Sequence, residues 1–149
     1  MKRLLLAFSV VAMAAGSAFA ADDPIAVRKS LMQSNGAVVG VAAAMMKQEL
    51  DYNPAVAKAA IAALHGVAMA YGDFFPEGSE TGGNTTASPK IWEDAAGFSA
   101  AVAKFQADTG AAMQASGREG PADLAAFQAA VGPVLSNCQS CHQSFRVQN

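Results

Sequence analysis

The chain has few of the residues from which metal sites, cross-links and charged surfaces are built. Its 149 residues include two cysteines and two histidines, and charged residues make up 15% of the sequence. The formal net charge is −2, and no basic patch or run stands out, so nucleic acid is not an expected partner. Runs of β-branched residues are also few, while Ala, Met, Gln, Lys and Leu are frequent. This composition favours helices over strands.

Both cysteines and one of the histidines lie in a single pentapeptide, Cys138-Gln139-Ser140-Cys141-His142. C-x-x-C-H is the attachment sequence of a c-type haem. On a helix, Cys138, Cys141 and His142 share one face, because they are three and four residues apart. The two thiols can then bond the two vinyl groups of a porphyrin, and the imidazole remains beneath the iron as an axial ligand. We therefore predict one covalent haem c.

Three other uses of the pentapeptide compete with haem attachment. A thioredoxin-like redox pair also has the C-x-x-C spacing, but it needs a βαβ context and no strand pattern is visible. A zinc site needs about four nitrogen or sulfur ligands, and only His65 could supplement the cluster. A disulfide between Cys138 and Cys141 could form in an oxidising compartment, but it would not require His142.

The first 20 residues have the three parts of a secretory signal peptide. A basic start at residues 1–3 precedes an apolar run over residues 4–16, and Ala18-Phe19-Ala20 is a small-x-small cleavage site. We predict cleavage after Ala20, one domain over residues 21–149, and no membrane span after cleavage. Haem attachment to C-x-x-C-H takes place outside the bacterial cytoplasm, so the two signals together predict a periplasmic protein.

Four helices are predicted in the mature chain, because apolar residues recur near the helical period. Three Asx/Ser-Pro pairs combine an N-cap residue with a proline at the first helical position. The expected helices run from Pro24 to near Leu50, from Pro54 to Tyr71, from Pro89 to near Gly117, and from Pro121 through the C-x-x-C-H sequence. A kink or a local loss of hydrogen bonds is expected at Pro133. Mostly short connections predict an all-α, antiparallel four-helix bundle.

These features resemble the cytochrome c′ family, the class II c-type cytochromes, including its six-coordinate low-spin members. Residues 28–32 (Arg-Lys-Ser-Leu-Met) resemble the first-helix pattern of the family, and residues 88–92 (Ser-Pro-Lys-Ile-Trp) resemble the start of its third helix. The segment from Cys138 to Arg146 matches the pattern C-x-x-C-H-x-x-[FY]-[RK] at the end of the fourth helix. The resemblance implies a haem between the helices, with one face against the first helix.

The resemblance also implies roles for two residues of the first helix. Met32 falls over the distal side of the iron, where it is either the sixth ligand or a wall beside a five-coordinate iron; the surrounding residues 31–36 look more like the low-spin branch. Arg28 is expected to pair with a haem propionate, the alternative being an exposed surface cation. Arg146 could tune the proximal side or simply favour the helix end. For His65, the resemblance supports no ligand role.

Electron transfer by Fe(II)/Fe(III) cycling, with an unidentified redox partner protein, is the expected function. The alternative is a five-coordinate haem protein that binds a small gas ligand, nitric oxide or carbon monoxide. An enzyme such as a peroxidase ranks last, because no histidine is placed by motif as a distal acid–base group, and no enzymatic activity is expected. The resemblance suggests a homodimer packed through the first two helices, although some relatives are monomeric.

Overall fold

The computed structural model describes residues 23–147, so the predicted signal peptide lies outside the described residues. Four long helices dominate: α1 (Pro24–Met46), α2 (Pro54–Tyr71), α4 (Ala95–Ser116) and α5 (Leu124–Phe145). A short 3-10 turn (Gly72–Phe74) and a one-turn helix, α3 (Lys90–Glu93), lie between α2 and α4. In the bundle, α1 packs on α2, α2 on α4, and α4 on α5. The prediction of an all-α antiparallel four-helix bundle is confirmed.

The first two helices begin where the Asx-Pro pairs predict. The Asp23 carboxylate accepts a hydrogen bond from the backbone N–H of Ala26 at 2.9 Å, and Pro24 is the first helical residue. The Asn53 side chain accepts from the N–H groups of two residues of α2, and Pro54 is the first residue of that helix. In both cases a side-chain oxygen satisfies backbone donors that have no partner within the helix.

The third predicted helix is wrong as a single element, because the structure divides it at Asp94. There the backbone leaves the helical region (φ −124°, ψ 59°), and the Asp94 carboxylate accepts from the N–H of Gly97 at 3.0 Å. The cap requires glycine at position 97, because a Cβ there would overlap the Asp94 carboxylate. Asp94 therefore ends α3 and starts α4 with its own cap.

Two further helix boundaries differ from the prediction. The helix α1 ends at Met46 rather than near Leu50, and Gln48 follows with a positive φ of 60°. The helix α5 begins after Asp123, whose carboxylate accepts from Ala126 N–H at 2.8 Å, and not at Pro121. The helix continues through Pro133. A proline has no backbone N–H, so Pro133 donates no hydrogen bond within the helix.

The main core lies between α1, α2, α4 and α5. Its most deeply buried large side chains are Met45, Ile61, Leu64, Phe127, Val131 and Val134. The segment Pro54–Phe74 is long and apolar enough, by length and composition, to cross a membrane. Six residues of α2 are buried against the rest of the bundle. A second buried cluster, formed by Ile91, Phe98 and Phe145, lies beside the C-x-x-C-H end of α5.

The loop before α3 is joined to the end of α5 by backbone hydrogen bonds. Ala87 and Arg146 form an isolated antiparallel bridge. The N–H of Ser88 donates to the carbonyl of Phe145 at 3.0 Å, and the N–H of Val147 donates to the carbonyl of Thr86 at 2.9 Å. The residues just after the C-x-x-C-H sequence are thereby fixed against the loop.

Candidate haem-binding site

A cavity of about 560 Å³ lies between α1, α4, α5 and the loop before α3. Its size falls within the range of roughly 300–1,000 Å³ that is typical of ligand and cofactor sites. All five predicted site residues line this one cavity: Cys138, Cys141 and His142 from α5, and Arg28 and Met32 from α1. The structure thus brings together residues that are more than 100 positions apart in the sequence.

Cys138 and Cys141 are half-buried, and both are free thiols. Burial raises the pKa of each thiol, so both are protonated near neutral pH. In this structure the two cysteines lie as separate thiols on one helix face. Within residues 23–147 no three His, Cys, Asp or Glu side chains are placed to hold a metal ion, so the zinc interpretation has no geometric support.

His142 follows Cys138 by one helical turn and lines the same cavity, although much of the residue is exposed. Partial burial lowers the pKa of His142, and the positive charge of Arg146 lowers it further. Both effects favour the neutral imidazole. This is the form whose ring nitrogen can bind a metal ion.

Arg28 is buried, with 2% of its surface exposed, so the alternative of a surface cation is wrong. Its guanidinium donates to the carbonyl of Phe74 at 3.2 Å, to the hydroxyl and carbonyl of Ser79 at 2.9 and 2.6 Å, and to the hydroxyl of Thr85 at 3.0 Å. It also lies over the ring of Phe75, with 4.8 Å between Cζ and the ring centroid. Arg28 therefore holds the loop between α2 and α3 against α1.

The same guanidinium remains incompletely satisfied. Its Nε is buried and has no hydrogen-bond partner among the described residues. The ion pair found in that part of the chain joins Lys104 and Asp108, not Arg28 and a carboxylate. Burial accordingly lowers the pKa of Arg28. A buried cation is costly unless an anion accompanies it, so this corner of the cavity fits a carboxylate such as a haem propionate.

Met32 is half-buried and lies one turn after Arg28 on the cavity side of α1. Asn35, Gly36 and Val39 continue the same face of α1 along the cavity. Aromatic rings form another part of the wall: Phe98 packs on Phe75 with 4.7 Å between ring centroids and on Phe145 with 5.4 Å. A mostly apolar slot, lined on α5 by the two cysteines and the histidine of the C-x-x-C-H sequence, suits a flat porphyrin.

Several residues of the site carry no signal in the sequence. Ser79 and Thr85, which bind Arg28, lie in the long loop, where no periodic pattern predicts their position. Asn137 lines the cavity and donates from its side-chain amide to the Asp108 carboxylate at 2.8 Å. Asn35 is also buried in the cavity wall. The positions of Asn35 and Asn137 depend on which helices pack together, and neither asparagine belongs to a recognisable motif.

Two neighbouring residues, His65 and Trp92, lie outside the cavity lining. The Nδ1 of His65 is 3.1 Å from the hydroxyl of Thr109, between α2 and α4. Trp92 packs against Phe75 with 6.0 Å between ring centroids, and its indole Nε1 is buried without a partner among the described residues. Both therefore contribute to helix and loop packing beside the site.

The fold and the cavity define a helical-bundle haem protein. The family model described as Cytochrome C′ matches residues 23–146. The chain is 38% identical to a cytochrome c′ of Rhodopseudomonas palustris over 146 residues, covering 98% of this chain and 97% of the relative. It is 32% identical to a cytochrome c-556 of Agrobacterium fabrum over 148 residues, covering 99% and 97%.

The fold comparison agrees with the sequence comparison. The solved structure of cytochrome c′ from Rhodopseudomonas palustris has a TM-score of 0.78 and 38% identity, covering 85% of this chain and 98% of that one. The cytochrome c′ structure from Rubrivivax gelatinosus has a TM-score of 0.74 and 32% identity, covering 83% and 94%. The chain belongs to the cytochrome c′ family and binds one covalent c-type haem. The predicted resemblance and the predicted cofactor are confirmed.

Proposed function

We propose that the protein is a periplasmic electron carrier whose haem is attached through Cys138 and Cys141, with His142 as axial ligand and Met32 as sixth ligand. The observation that carries this proposal is that Met32 of α1 and the C-x-x-C-H residues of α5 line one cavity. When bound, the haem supplies a one-electron Fe(II)/Fe(III) couple. A neutral, soft thioether ligand favours Fe(II) and raises the reduction potential.

The remaining residues of the cavity orient the cofactor. Arg28 lines the cavity, where its positive charge attracts a haem carboxylate, and its hydrogen bonds fix the loop that closes the site. The aromatic wall of Phe98 and Phe145 excludes water from that side. A site held by thioethers and packed rings changes little between the two oxidation states, which suits electron transfer.

The attachment end of the cavity also suits contact with a redox partner protein. Cys138 and Cys141 are half-buried, while His142 and Arg146 are exposed. Electrons would enter and leave where α5 reaches the surface. We further propose that residues 1–20 direct export and are removed, which places this transfer in the periplasm.

Gas binding is the second candidate function. The distal side of the cavity includes Met32, Gly36 and Val39, which leave a largely apolar space along α1. If Met32 only lines this space, a small neutral ligand such as nitric oxide can bind a five-coordinate iron. Peroxidase-like turnover is not proposed, because the cationic groups on this helix, Arg28 and Lys29, are both engaged with loop atoms.

The deciding experiment compares optical and electron paramagnetic resonance spectra of ferric and ferrous holoprotein with those of Met32→Ala. Low-spin iron in the native protein that becomes high-spin in Met32→Ala is the expected result. Met69→Ala is the matched control, because Met69 is 55% exposed on α2 and lies outside the cavity, and its spectra should not change. High-spin five-coordinate iron in the native protein would overturn Met32 ligation and favour nitric oxide binding.

A further inference from the structure

Tyr71 is the residue that α2 contributes to the lining of the haem cavity. It is the last residue of α2, it is half-buried, and it lines the cavity together with Arg28 of α1 and Cys141 of α5. A tyrosine presents an apolar ring and one hydroxyl, and the hydroxyl usually has a hydrogen-bond partner where the side chain is buried. The molecule that fills the cavity can supply that partner.

The ring of Tyr71 is held in the same corner of the cavity as the Arg28 guanidinium. Tyr71 meets Phe75 edge-on, with 5.1 Å between ring centroids and 71° between ring planes. The Cζ of Arg28 lies 4.8 Å from the centroid of the same Phe75 ring. Arg28 also donates to the carbonyl of Phe74, in the turn that follows Tyr71. The phenol and the guanidinium thus reach the cavity beside one shared aromatic ring.

The Tyr71 hydroxyl is a hydrogen-bond donor in this position. The pKa of Tyr71 is raised to about 12, mainly by burial and also by the neighbouring Cys141 thiol, while the positive charge of Arg28 opposes the increase. The phenol is therefore protonated at neutral pH. Electrostatic effects weaken with distance, so these influences also indicate that the hydroxyl lies near both Arg28 and Cys141.

The acceptor with the highest affinity for this hydroxyl is a carboxylate of the haem. Among residues 23–147, no aspartate or glutamate lines the cavity. Besides Tyr71, the charged and titratable residues of the lining are Arg28, Lys29, Cys138, Cys141, His142 and Arg146. A sulfur atom is a weak acceptor, whereas hydrogen bonds to an ionised carboxylate are among the strong ones. A bound haem brings such carboxylates into a cavity whose own residues offer none.

We propose that Tyr71 is a further haem-binding residue, whose hydroxyl donates a hydrogen bond to the haem carboxylate that Arg28 attracts. This inference rests on the proposed placement of the haem between α1 and α5, but not on Met32 being an iron ligand. A guanidinium from α1 and a phenol from the end of α2 hold the carboxylate from two helices. A donor to the ionised carboxylate also lowers its pKa, so Tyr71 keeps this group charged at lower pH.

The test compares the reduction potential of native holoprotein and Tyr71→Phe as a function of pH. Protonation of a haem carboxylate removes a negative charge near the iron, so the potential falls as the pH rises through the pKa of that group. Loss of the hydroxyl removes a donor to the ionised form and raises this pKa. The fall should occur about half a pH unit higher in Tyr71→Phe, which corresponds to an about threefold increase in proton affinity.

Tyr52→Phe is the matched control, because it removes the hydroxyl of the other tyrosine in the chain. The Tyr52 hydroxyl donates to the carbonyl of Pro121, and Tyr52 lies outside the cavity lining. Its curve of potential against pH should coincide with the native curve. Asp23 and Glu80, which act on Arg28 from outside the lining, are unchanged in both variants. A Tyr71→Phe curve that coincides with the native one would overturn the proposal.

A crystal structure of the holoprotein separates this outcome from that of the proposed function. A haem carboxylate oxygen within about 3 Å of Tyr71 Oη is the expected result. A haem between α1 and α5 whose carboxylates lie away from Tyr71 would overturn the role of Tyr71 and leave the electron carrier standing. The spin state of native protein and Met32→Ala reports whether Met32 binds iron, and the Tyr71→Phe shift is expected in either case.

Discussion

Arg28 and Ser79 are joined by two hydrogen bonds across 51 residues of sequence, one to the serine hydroxyl and one to its backbone oxygen. The Arg28 side chain on α1 thereby holds in place a loop that has little regular structure of its own. Because the guanidinium is buried, these bonds are shielded from competition with water. Arg28 is therefore a main side-chain link between α1 and this loop, beside the exposed contact of Lys29 with Gly83.

Replacement of Arg28 by lysine should lower the free energy of unfolding of the holoprotein by about 2–4 kcal/mol, since hydrogen bonds to charged groups contribute more than neutral ones. A lysine keeps the charge but cannot reach Phe74, Ser79 and Thr85 together. Denaturant unfolding followed by circular dichroism measures the change. Lys29→Ala is the matched control: Lys29 also binds the loop, at the carbonyl of Gly83, but is exposed, and its loss should cost under about 0.5 kcal/mol. Equal costs for the two variants would contradict this role.

Substitution of Phe98 and of Phe127 should have similar effects on the stability of the bundle but different effects on the environment of the haem. Phe98 belongs to the aromatic wall of the cavity, whereas Phe127 is fully buried in the main core. Truncation of either to alanine should cost roughly 3–5 kcal/mol of unfolding free energy. Only Phe98→Ala should alter the optical spectrum of the haem, because only Phe98 lines the cavity. A spectral change in Phe127→Ala as large as that in Phe98→Ala would argue against the proposed haem position.

The ionised carboxylate of Asp108 should stabilise the folded protein near neutral pH, and this stabilisation should be lost in acid. Hydrogen bonds from Lys104 and Asn137 hold the pKa of its carboxyl below the ordinary value of 3.8. A carboxyl whose pKa is lower in the folded state stabilises the fold above its unfolded pKa, and this contribution is lost as the pH falls through the folded pKa. Asp108→Asn should therefore cost about 0.5–1 kcal/mol near pH 6, since the pair is partly exposed, and progressively less below about pH 4.

Unfolding of native protein and Asp108→Asn at several pH values measures this difference. Asp51→Asn, which removes an exposed carboxylate from the connection between α1 and α2, is the control. A gap between native protein and Asp108→Asn that stays constant from pH 6 to strong acid, at about pH 2, would contradict the linkage to Asn137 and Lys104.

The placement of the C-x-x-C-H residues on one wall of the cavity could be predicted from the sequence because their signal is local. Cys138, Cys141 and His142 lie on one helix face, and their spacing alone defines that face. The starts of α1 and α2 were equally accessible, since each depends on an Asx-Pro pair next to the helix it begins. These features need no information about which helices are neighbours in the bundle.

The division at Asp94 is not predictable from the sequence pattern, for a different reason. Apolar residues continue at helical spacing from Ile91 to Phe98, and this periodicity masked the weaker cap signal of Asp94 and Gly97. The loop contacts of Arg28 lie 46–57 residues away along the chain, beyond the range of any helical period. Asn35 was hidden because its burial depends on the cavity, which forms only when α1 packs beside α5.

On one side of the cavity, the bridge between Ala87 and Arg146 is formed by backbone hydrogen bonds, which most side-chain substitutions do not remove. Its hydrogen bonds involve the N–H groups of Ser88 and Val147 and the carbonyls of Phe145 and Thr86, none of which belongs to a side chain. Ordinary substitutions there leave every donor and acceptor in place. Only proline at a donor position removes one. In this segment the backbone hydrogen bonds survive most side-chain changes, and the shape of the wall depends on side-chain identity chiefly at Phe145, whose ring packs in the aromatic cluster.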